Sequence, residues 1–356
     1  LGINVQQLAT FGVSPELNGY SAERSKQLFE RLEELLAAQP GVTGIGASRV
    51  PSLGGSNWGT DVAVQGFKSG PDVDSNSRFN QVSPGYFKTM GIPLLGGREF
   101  ARSDRLGGPK VAIVNEAFAK KFNLGTDVVG RRMSDDGGPS AKLDIEIVAL
   151  AKDAKYSEVK DEIPPLFFRP YLQTERVGSM TFYVRTSGAP EQIIQTIQRL
   201  VASVDSNLPV ENLHTMEQQV RDNVFLDRMI STMSAGFAVL ATLLAAVGLY
   251  GVLAYTVAQR TREIGLRMAL GAAPNRVRAM VLRQVAVMTL IGGAVGLVGA
   301  VWAGRAAKSI LYQMEGHDPL VLGASVVLLT LVALGAGFIP AHRASRIDPM
   351  LALRYE

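Results

Sequence analysis

The last third of the chain contains three long segments without a single charged residue. They cover Met229–Gln259, Gln284–Gly304 and Pro319–Ala341, about thirty, twenty-one and twenty-three residues. A helix rises about 1.5 Å per residue, so roughly twenty apolar residues cross the hydrocarbon core of a bilayer. A soluble core can bury one shorter apolar helix, but three such segments in succession favour a membrane domain. The predicted transmembrane helices cover about 231–258, 281–304 and 320–341.

Residues 1–225 instead alternate between helical and strand-like hydrophobic patterns. Ala22–Ala38 and Pro190–Val204 each place their apolar residues on one helical face. Further short elements are expected at Val42–Val50, Asp61–Gly66, Val111–Val114, Glu116–Phe122 (a helix), Ile145–Leu150 and Thr181–Arg185. We therefore predict an α+β domain over 1–225, followed by an all-α membrane domain of three helices over 226–356.

Charge is distributed unevenly between these two parts. The whole chain has 36 Lys plus Arg against 32 Asp plus Glu. Residues 1–225 hold 24 basic and 26 acidic side chains, and the remainder holds 12 and 6. The first part has no basic excess to offer phosphates, which argues against nucleic-acid binding. Cysteine is absent, so disulfides and thiolate metal sites are excluded.

The arginines predict the orientation in the membrane. The link between the first two spans carries Arg260, Arg262, Arg267, Arg276 and Arg278 against Glu263 alone. Positively charged loops remain in the cytoplasm, so we expect this link and the C-terminus inside. Residues 1–225 and the Ala306–Asp318 loop are then outside. The chain begins with Leu rather than Met and has no apolar leader, and we expect upstream sequence that takes the domain across.

Motifs for enzyme chemistry are missing from the sequence. No Gly-x-x-x-x-Gly-Lys-Ser/Thr loop, paired His motif or Gly-x-Ser-x-Gly elbow occurs. Two acidic pairs, Asp135-Asp136 and Asp144/Glu146, fit a solvated turn and the exposed face of a strand better than an acid–base or calcium site. We predict no catalytic residue, no cofactor and no metal, and hence no enzyme.

Two features of the membrane part are informative. Gly292, Gly296 and Ala300 recur every four residues in the second span, a spacing that lets helices approach closely. Packing within one subunit and a seam between subunits both remain open. Arg262–Ala272 forms a short predicted helix in the basic link, which is either held by lipid headgroups or gripped by a cytoplasmic partner.

Several segments resemble the FtsX/MacB-like ABC transporter permeases. The signature run is Leu249–Ala272, with Arg-Glu-Ile-Gly-Leu-Arg-Met-Ala-Leu-Gly-Ala as its most specific part, and the terminal Pro340–Glu356 matches as well. The first part is similar to the periplasmic core domain of that family through Val82–Ile92, Val111–Phe118 and Asp205–Pro209. The likeness is nearest to the acidobacterial duplicated orphan permease group, whose members join two permease units. This chain would be the C-terminal unit, without its first helix.

The resemblance implies a role and partners for the chain. It implies a periplasmic domain with a porter part, Leu1–Gln81 and about Met180–Asp222, interrupted by an insert at about 82–179. Its membrane would be the bacterial inner membrane. Expected partners are a separate cytoplasmic ABC ATPase, a second permease unit, membrane lipid and a periplasmic adaptor or effector. The ATPase-coupling role is carried onto Arg262, Glu263, Ile264, Gly265, Leu266, Arg267, Met268, Leu270 and Gly271.

The chain is accordingly predicted to be the mechanotransmitting permease subunit of a bacterial ABC-type transport or efflux system. A second hypothesis is an FtsX-like regulator that controls a periplasmic cell-wall hydrolase. A third, a membrane-anchored enzyme, would need a carboxylate or His cluster within Val82–Ser179.

Overall fold

The computed structural model describes residues 1–68, 70, 73–125, 127–138, 141–270, 272–310 and 319–345. They form two compact units, Leu1–Arg228 (the first unit) and Met229–Glu356 (the second unit). Gly271, most of the predicted outer loop and the tail beyond Ser345 lie outside the described residues.

The first unit combines a mixed β-sheet with short and long helices. Its strands are β1 (Leu8–Val13), β2 (Val42–Ser48), β3 (Gly59–Asp61), β4 (Ala63–Val64), β5 (Asn76–Val82), β6 (Leu94–Gly97), β7 (Lys110–Asn115), β8 (Arg132–Ser134), β9 (Ile145–Ala151), β10 (Leu166–Pro170), β11 (Met180–Thr186) and β12 (Glu211–Thr215). Its helices are α1 (Ala22–Ala37), α2 (Tyr86–Met90), α3 (Glu116–Lys121) and α4 (Glu191–Val204), and α5 begins at Met216.

The strands pair in one sheet of order β12-β1-β11-β2-β5-β10-β7-β9-β8-β4, with β3 beside β5 and β6 beside β9. One row of buried side chains from β1 and β11 packs against α1 and α4, where Phe11 stacks on Phe182 at 5.2 Å. β2 meets β5 at the pair Ser48–Val82, whereas β5 pairs with β10 along five positions. Strand pairing thus places β3, β4 and β5 with the strands of the predicted insert.

The structure agrees with the expected fold class: an α+β unit precedes three apolar helices. The amphipathic patterns located α1 and α4 to within a residue or two at each end. The single strand expected at Asp61–Gly66 is wrong. It divides into β3, which pairs with β5, and β4, which pairs with β8, and a turn with Gly66 at φ +84° follows.

The second unit is helical throughout its described part. After the end of α5 (Met216–Gln259) follow α6 (Thr261–Ala269), α7 (Pro274–Ile310) and α8 (Pro319–Ala344). By length and composition, segments of α5, α7 and α8 can cross a membrane, with hydropathies of 2.3, 2.1 and 2.3.

The packing of α7 on α8 does not use the predicted small-residue stripe. Gly292 and Gly296 both border open space, and Ala300 is exposed. The close approach occurs instead at Gly337 of α8, where a Cβ would lie 2.7 Å from Val285 Cγ2. That Gly292, Gly296 and Ala300 pack against a second subunit stays a prediction.

Candidate functional site

The short helix α6 joins the first two apolar helices through two sharp turns. Arg260 is its N-cap, and the Ile264 N–H donates to Arg260 O at 2.9 Å. Thr261 Oγ1 donates back to Val257 O and Ala258 O at the end of α5, which satisfies carbonyls that a helix end leaves without partners. Pro274 opens α7, a position where its missing N–H costs nothing. We call Val257–Val281 the α6 hairpin.

One face of α6 is buried within the hairpin. The Ile264 side chain is 1% exposed and packs on Val277 of α7, and Val257, Met268 and Met280 surround this contact. Ile264 and Met268 are four residues apart and therefore lie on the same side of the helix. This apolar contact fixes which way the rest of α6 points.

The opposite face of α6 presents large apolar side chains without cover. Leu266 is 53% exposed and Leu270 is 81% exposed. Leu270 also borders an open groove of about 400 Å³, whose walls include Arg267 and Arg276. The arrangement offers a partner protein an apolar anchor point with cationic rims, a combination that favours a partner with an apolar patch and acidic neighbours.

The two charges at the centre of the predicted coupling set face each other along the helix. Glu263 Oε1 lies 2.5 Å from Arg267 Nη2, and both side chains are about half exposed. An exposed pair of this kind stabilises a helix by about 0.3–0.5 kcal/mol. Arg267 also donates to Met280 Sδ at 3.1 Å, so the pair is held against α7.

The structure brings most of the sequence-predicted residues together on α6. Arg262, Glu263, Leu266 and Leu270 are exposed, whereas Ile264 is the buried anchor and Met268 is half-buried. Gly265 lies within the helix, and Gly271 lies outside the described residues. Sequence reasoning missed the partners on α7, Val277 and Met280. Val277 and Met280 are three residues apart and so lie on one side of α7, and this spacing could have indicated an apolar face there.

Further hydrogen bonds tie the end of α8 to the same region. Arg343 Nη1 donates to the Tyr250 hydroxyl at 3.2 Å, and Arg278 Nε donates to Ser345 Oγ at 2.8 Å. Arginine side chains therefore link α8 to both α5 and α7 near the α6 hairpin.

The start of α5 is anchored to the first unit through a glycine-rich loop. Gln219 Nε2 donates to Ser52 O at 2.8 Å, and Asn223 Nδ2 donates to Leu53 O at 3.2 Å. The Val159 N–H completes the joint by donating to Asn223 Oδ1 at 3.0 Å. The loop is also held by the sheet, because the Ser52 N–H donates to the buried hydroxyl of Tyr183 on β11 at 2.8 Å.

The acidic pairs of the first unit have structural partners. Asp135 forms an ion pair with Arg169, and Asp144 lies 2.8 Å from Lys110 Nζ. Among the residues that the structure describes, no group of three His, Asp or Glu side chains is arranged to hold a metal ion.

Comparison with known proteins agrees with this division of the chain. The family model for the MacB-like periplasmic core domain matches residues 3–200, and the model for the FtsX-like permease C-terminal region matches residues 235–349. The chain is 24% identical to the uncharacterized ABC transporter permease YknZ of Bacillus subtilis over 293 residues, covering 80% of this chain and 72% of that protein.

Other relatives are considerably longer than this chain. The probable export ATP-binding/permease protein MacB of Pseudomonas entomophila is 24% identical over 300 residues, which cover 79% of this chain but 43% of that protein. The crystal structure of the periplasmic region of MacB from Actinobacillus actinomycetemcomitans aligns with 62% of this chain and 94% of its own, at 16% identity and a TM-score of 0.41. The family models cover both units, and the chain belongs to the ABC transporter permeases that join a MacB-like periplasmic core domain to an FtsX-like permease region.

Proposed function

We propose that this permease chain transmits force between a cytoplasmic ABC ATPase and its own periplasmic domain. The observation that carries the proposal is the α6 hairpin. Its anchor, Ile264, is buried against α7, while Leu266 and Leu270 are exposed and Leu270 borders the groove lined by Arg267 and Arg276. A helix held rigidly by one face and uncovered on the other is suited to docking a partner.

Two further observations support a mechanical role. α5 is a single helix from Met216 to Gln259, so the helix that meets α6 also carries the side chains that hold the Ser52–Leu53 loop. The names of several relatives combine ATP binding with a permease, and the part matched here spans less than half of such a protein. In this proposal nucleotide-driven movement of the ATPase shifts α6, and α5 conveys the shift.

The proposed setting is the bacterial inner membrane, with residues 1–225 in the periplasm and the C-terminus in the cytoplasm. The arginine excess in the α6 hairpin supports this orientation. We further propose that the chain works with a second permease unit, in the duplicated arrangement that its sequence resembles.

Replacing Leu270 with Asp is expected to reduce stimulation of the partner ATPase at least tenfold, because an uncompensated carboxylate would enter the docking face. The measurement is ATP hydrolysis by the co-expressed ATPase with the full chain in lipid nanodiscs. Leu17→Asp is the matched control, because Leu17 is 84% exposed but lies in the first unit. It should leave stimulation unchanged.

Exchange of the charged pair separates recognition from helix stability. Glu263→Arg combined with Arg267→Glu keeps an ion pair along the helix but reverses the charges that a partner meets. We expect this double variant to lose stimulation as fully as Glu263→Arg alone. Full activity of the double variant, or of Leu270→Asp, would show that α6 is not the docking element.

A further inference from the structure

An open cleft of about 440 Å³ lies on the face of the first unit's sheet that faces away from α1 and α4. Its floor is made by neighbouring strands, in which His214 pairs with Thr10 and Glu211 pairs with Gly12. The glycine-rich loop after Arg49 and the start of α5 form its walls. A volume of this size is within the range of small-molecule sites.

A buried hydroxyl group in the floor has no partner. Ala9, Phe11 and Val13 pack into the cluster with α1 and α4, so the alternation of β1 turns Thr10 toward the cleft. Thr10 is 1% exposed, and its Oγ1 makes no hydrogen bond to any residue that the structure describes. Buried polar groups are nearly always satisfied, which points to a ligand or ordered solvent at this position.

The carboxylates of Glu211 and Asp222 border the same cleft and have acceptor oxygens that are not used by hydrogen bonds from the described residues. Glu211 Oε2 accepts from Ser14 Oγ at 3.2 Å and lies 3.6 Å from where a Cβ on Gly12 would be, so the carboxylate covers the floor. Over the described part of the chain, Glu211 Oε1 and the exposed Asp222 carboxylate have no hydrogen-bond or ion-pair partner.

Arg49, the arginine that lines the cleft, already contacts other side chains. Arg49 Nη1 donates to Gln81 Oε1 at 3.0 Å, and its guanidinium stacks on the Trp58 ring at 4.4 Å from the centroid. The residues that line the cleft include two acids and one arginine, which leaves it with a negative charge. This balance selects a ligand that brings positive charge and several N–H donors.

We propose that this cleft binds a small ligand through a primary ammonium group. The three N–H donors of such a group match Glu211 Oε1, the Asp222 carboxylate and Thr10 Oγ1. Gln219 and Asn223 form part of the same lining and hold the Ser52–Leu53 loop. A bound ligand would therefore contact both the loop and α5. Binding requires no ATPase, so the binding experiment tests this proposal independently of the proposed coupling role.

The test uses the full chain in detergent with 1,5-diaminopentane as the probe. In a Trp302→Phe background the remaining tryptophan is Trp58, which stacks on Arg49 at the cleft. We expect a saturable change in its fluorescence with a Kd of about 1 mM or tighter. The N,N′-diacetyl derivative, which has no ammonium group, should give none.

Variants assign the response to the cleft. Glu211→Gln should weaken binding at least tenfold and Thr10→Val at least threefold, while Glu23→Gln on the exposed side of α1 should leave it unchanged. Asp222→Asn lies on an exposed helix position and provides a second carboxylate test should Glu211→Gln misfold. The proposal is overturned if the diamine and its diacetyl derivative give the same response. It is equally overturned if no folded variant in the cleft weakens binding.

Discussion

Replacing Glu33 with Gln is expected to stabilise the first unit by about 3 kcal/mol at pH 7. Glu33 lies on α1 and is 8% exposed, and its Oε1 has no hydrogen-bond partner among the described residues. Burial is the main cause that raises the pKa of its carboxyl to about 8, and Arg102 counteracts it in part. The nearby hydroxyls of Ser83 and Tyr171 favour the charged form less strongly.

The sign of the effect follows from proton binding. Between the unfolded pKa of about 4.3 and the folded value of about 8, the unfolded chain has released the proton that the folded chain still holds. Stability therefore decreases as pH rises through this window and levels off above it. The Gln variant has no such proton, so its advantage should be near zero at pH 4 and complete above pH 8.

Urea unfolding of the full chain in detergent at pH 4, 7 and 9 measures this, with Trp58 fluorescence in the Trp302→Phe background reporting the first unit. Glu34→Gln is the matched control. Its side chain is 48% exposed and pairs with Arg102 at 3.1 Å on the surface, so we expect a change of about 0.5 kcal/mol or less. A wild-type stability that does not vary with pH would contradict the assignment of Glu33.

Glu33 and Glu34 show how far sequence reasoning reaches. The two residues are chemically identical, and only the helical period separates them. Glu33 follows Phe29 by four residues and precedes Leu36 by three, so it falls on the apolar face of α1. The pattern of leucines defined that helix correctly, but a carboxylate on its buried side carries no signal in composition or charge.

The strand β1 was not predicted because its sequence lacks an alternating pattern. β1 reads Leu-Ala-Thr-Phe-Gly-Val and is buried at all six positions, because β11 and β12 flank it and side chains pack on both faces. Strands buried on both faces show no alternation for a sequence to reveal. The unpaired hydroxyl of Thr10 and the cleft around it depend on this register, and so they required the three-dimensional structure.

The membrane helices show a different limit. The long uncharged segments predicted three apolar helices, yet α5 begins fifteen residues before the predicted start at 231. Its polar beginning is helical because Gln219 and Asn223 find hydrogen-bond partners in the first unit, which hydropathy does not record. The residues of α6 were assigned through family resemblance, and the structure adds the contact with Val277 that orients them.

Replacing Gly337 with Leu is expected to destabilise the second unit by about 1–3 kcal/mol, because the packing of α8 on α7 leaves no room for a side chain. A Cβ at this position would lie 2.7 Å and 3.3 Å from the two methyl groups of Val285, and 3.4 Å from Leu253 Cδ1. Val285 is fully buried and its branched side chain is stiff, so it cannot turn away at low cost.

Gly335→Leu provides the matched control two residues earlier on the same helix, where nothing lies within 4 Å of the new Cβ. Both variants lose one glycine and gain the same side chain, so helix propensity and hydropathy change equally. Thermal loss of monodisperse protein in detergent should occur at a clearly lower temperature for Gly337→Leu and at the wild-type temperature for Gly335→Leu. Equal behaviour of the two would mean that close contact at Gly337 does not hold α7 and α8 together.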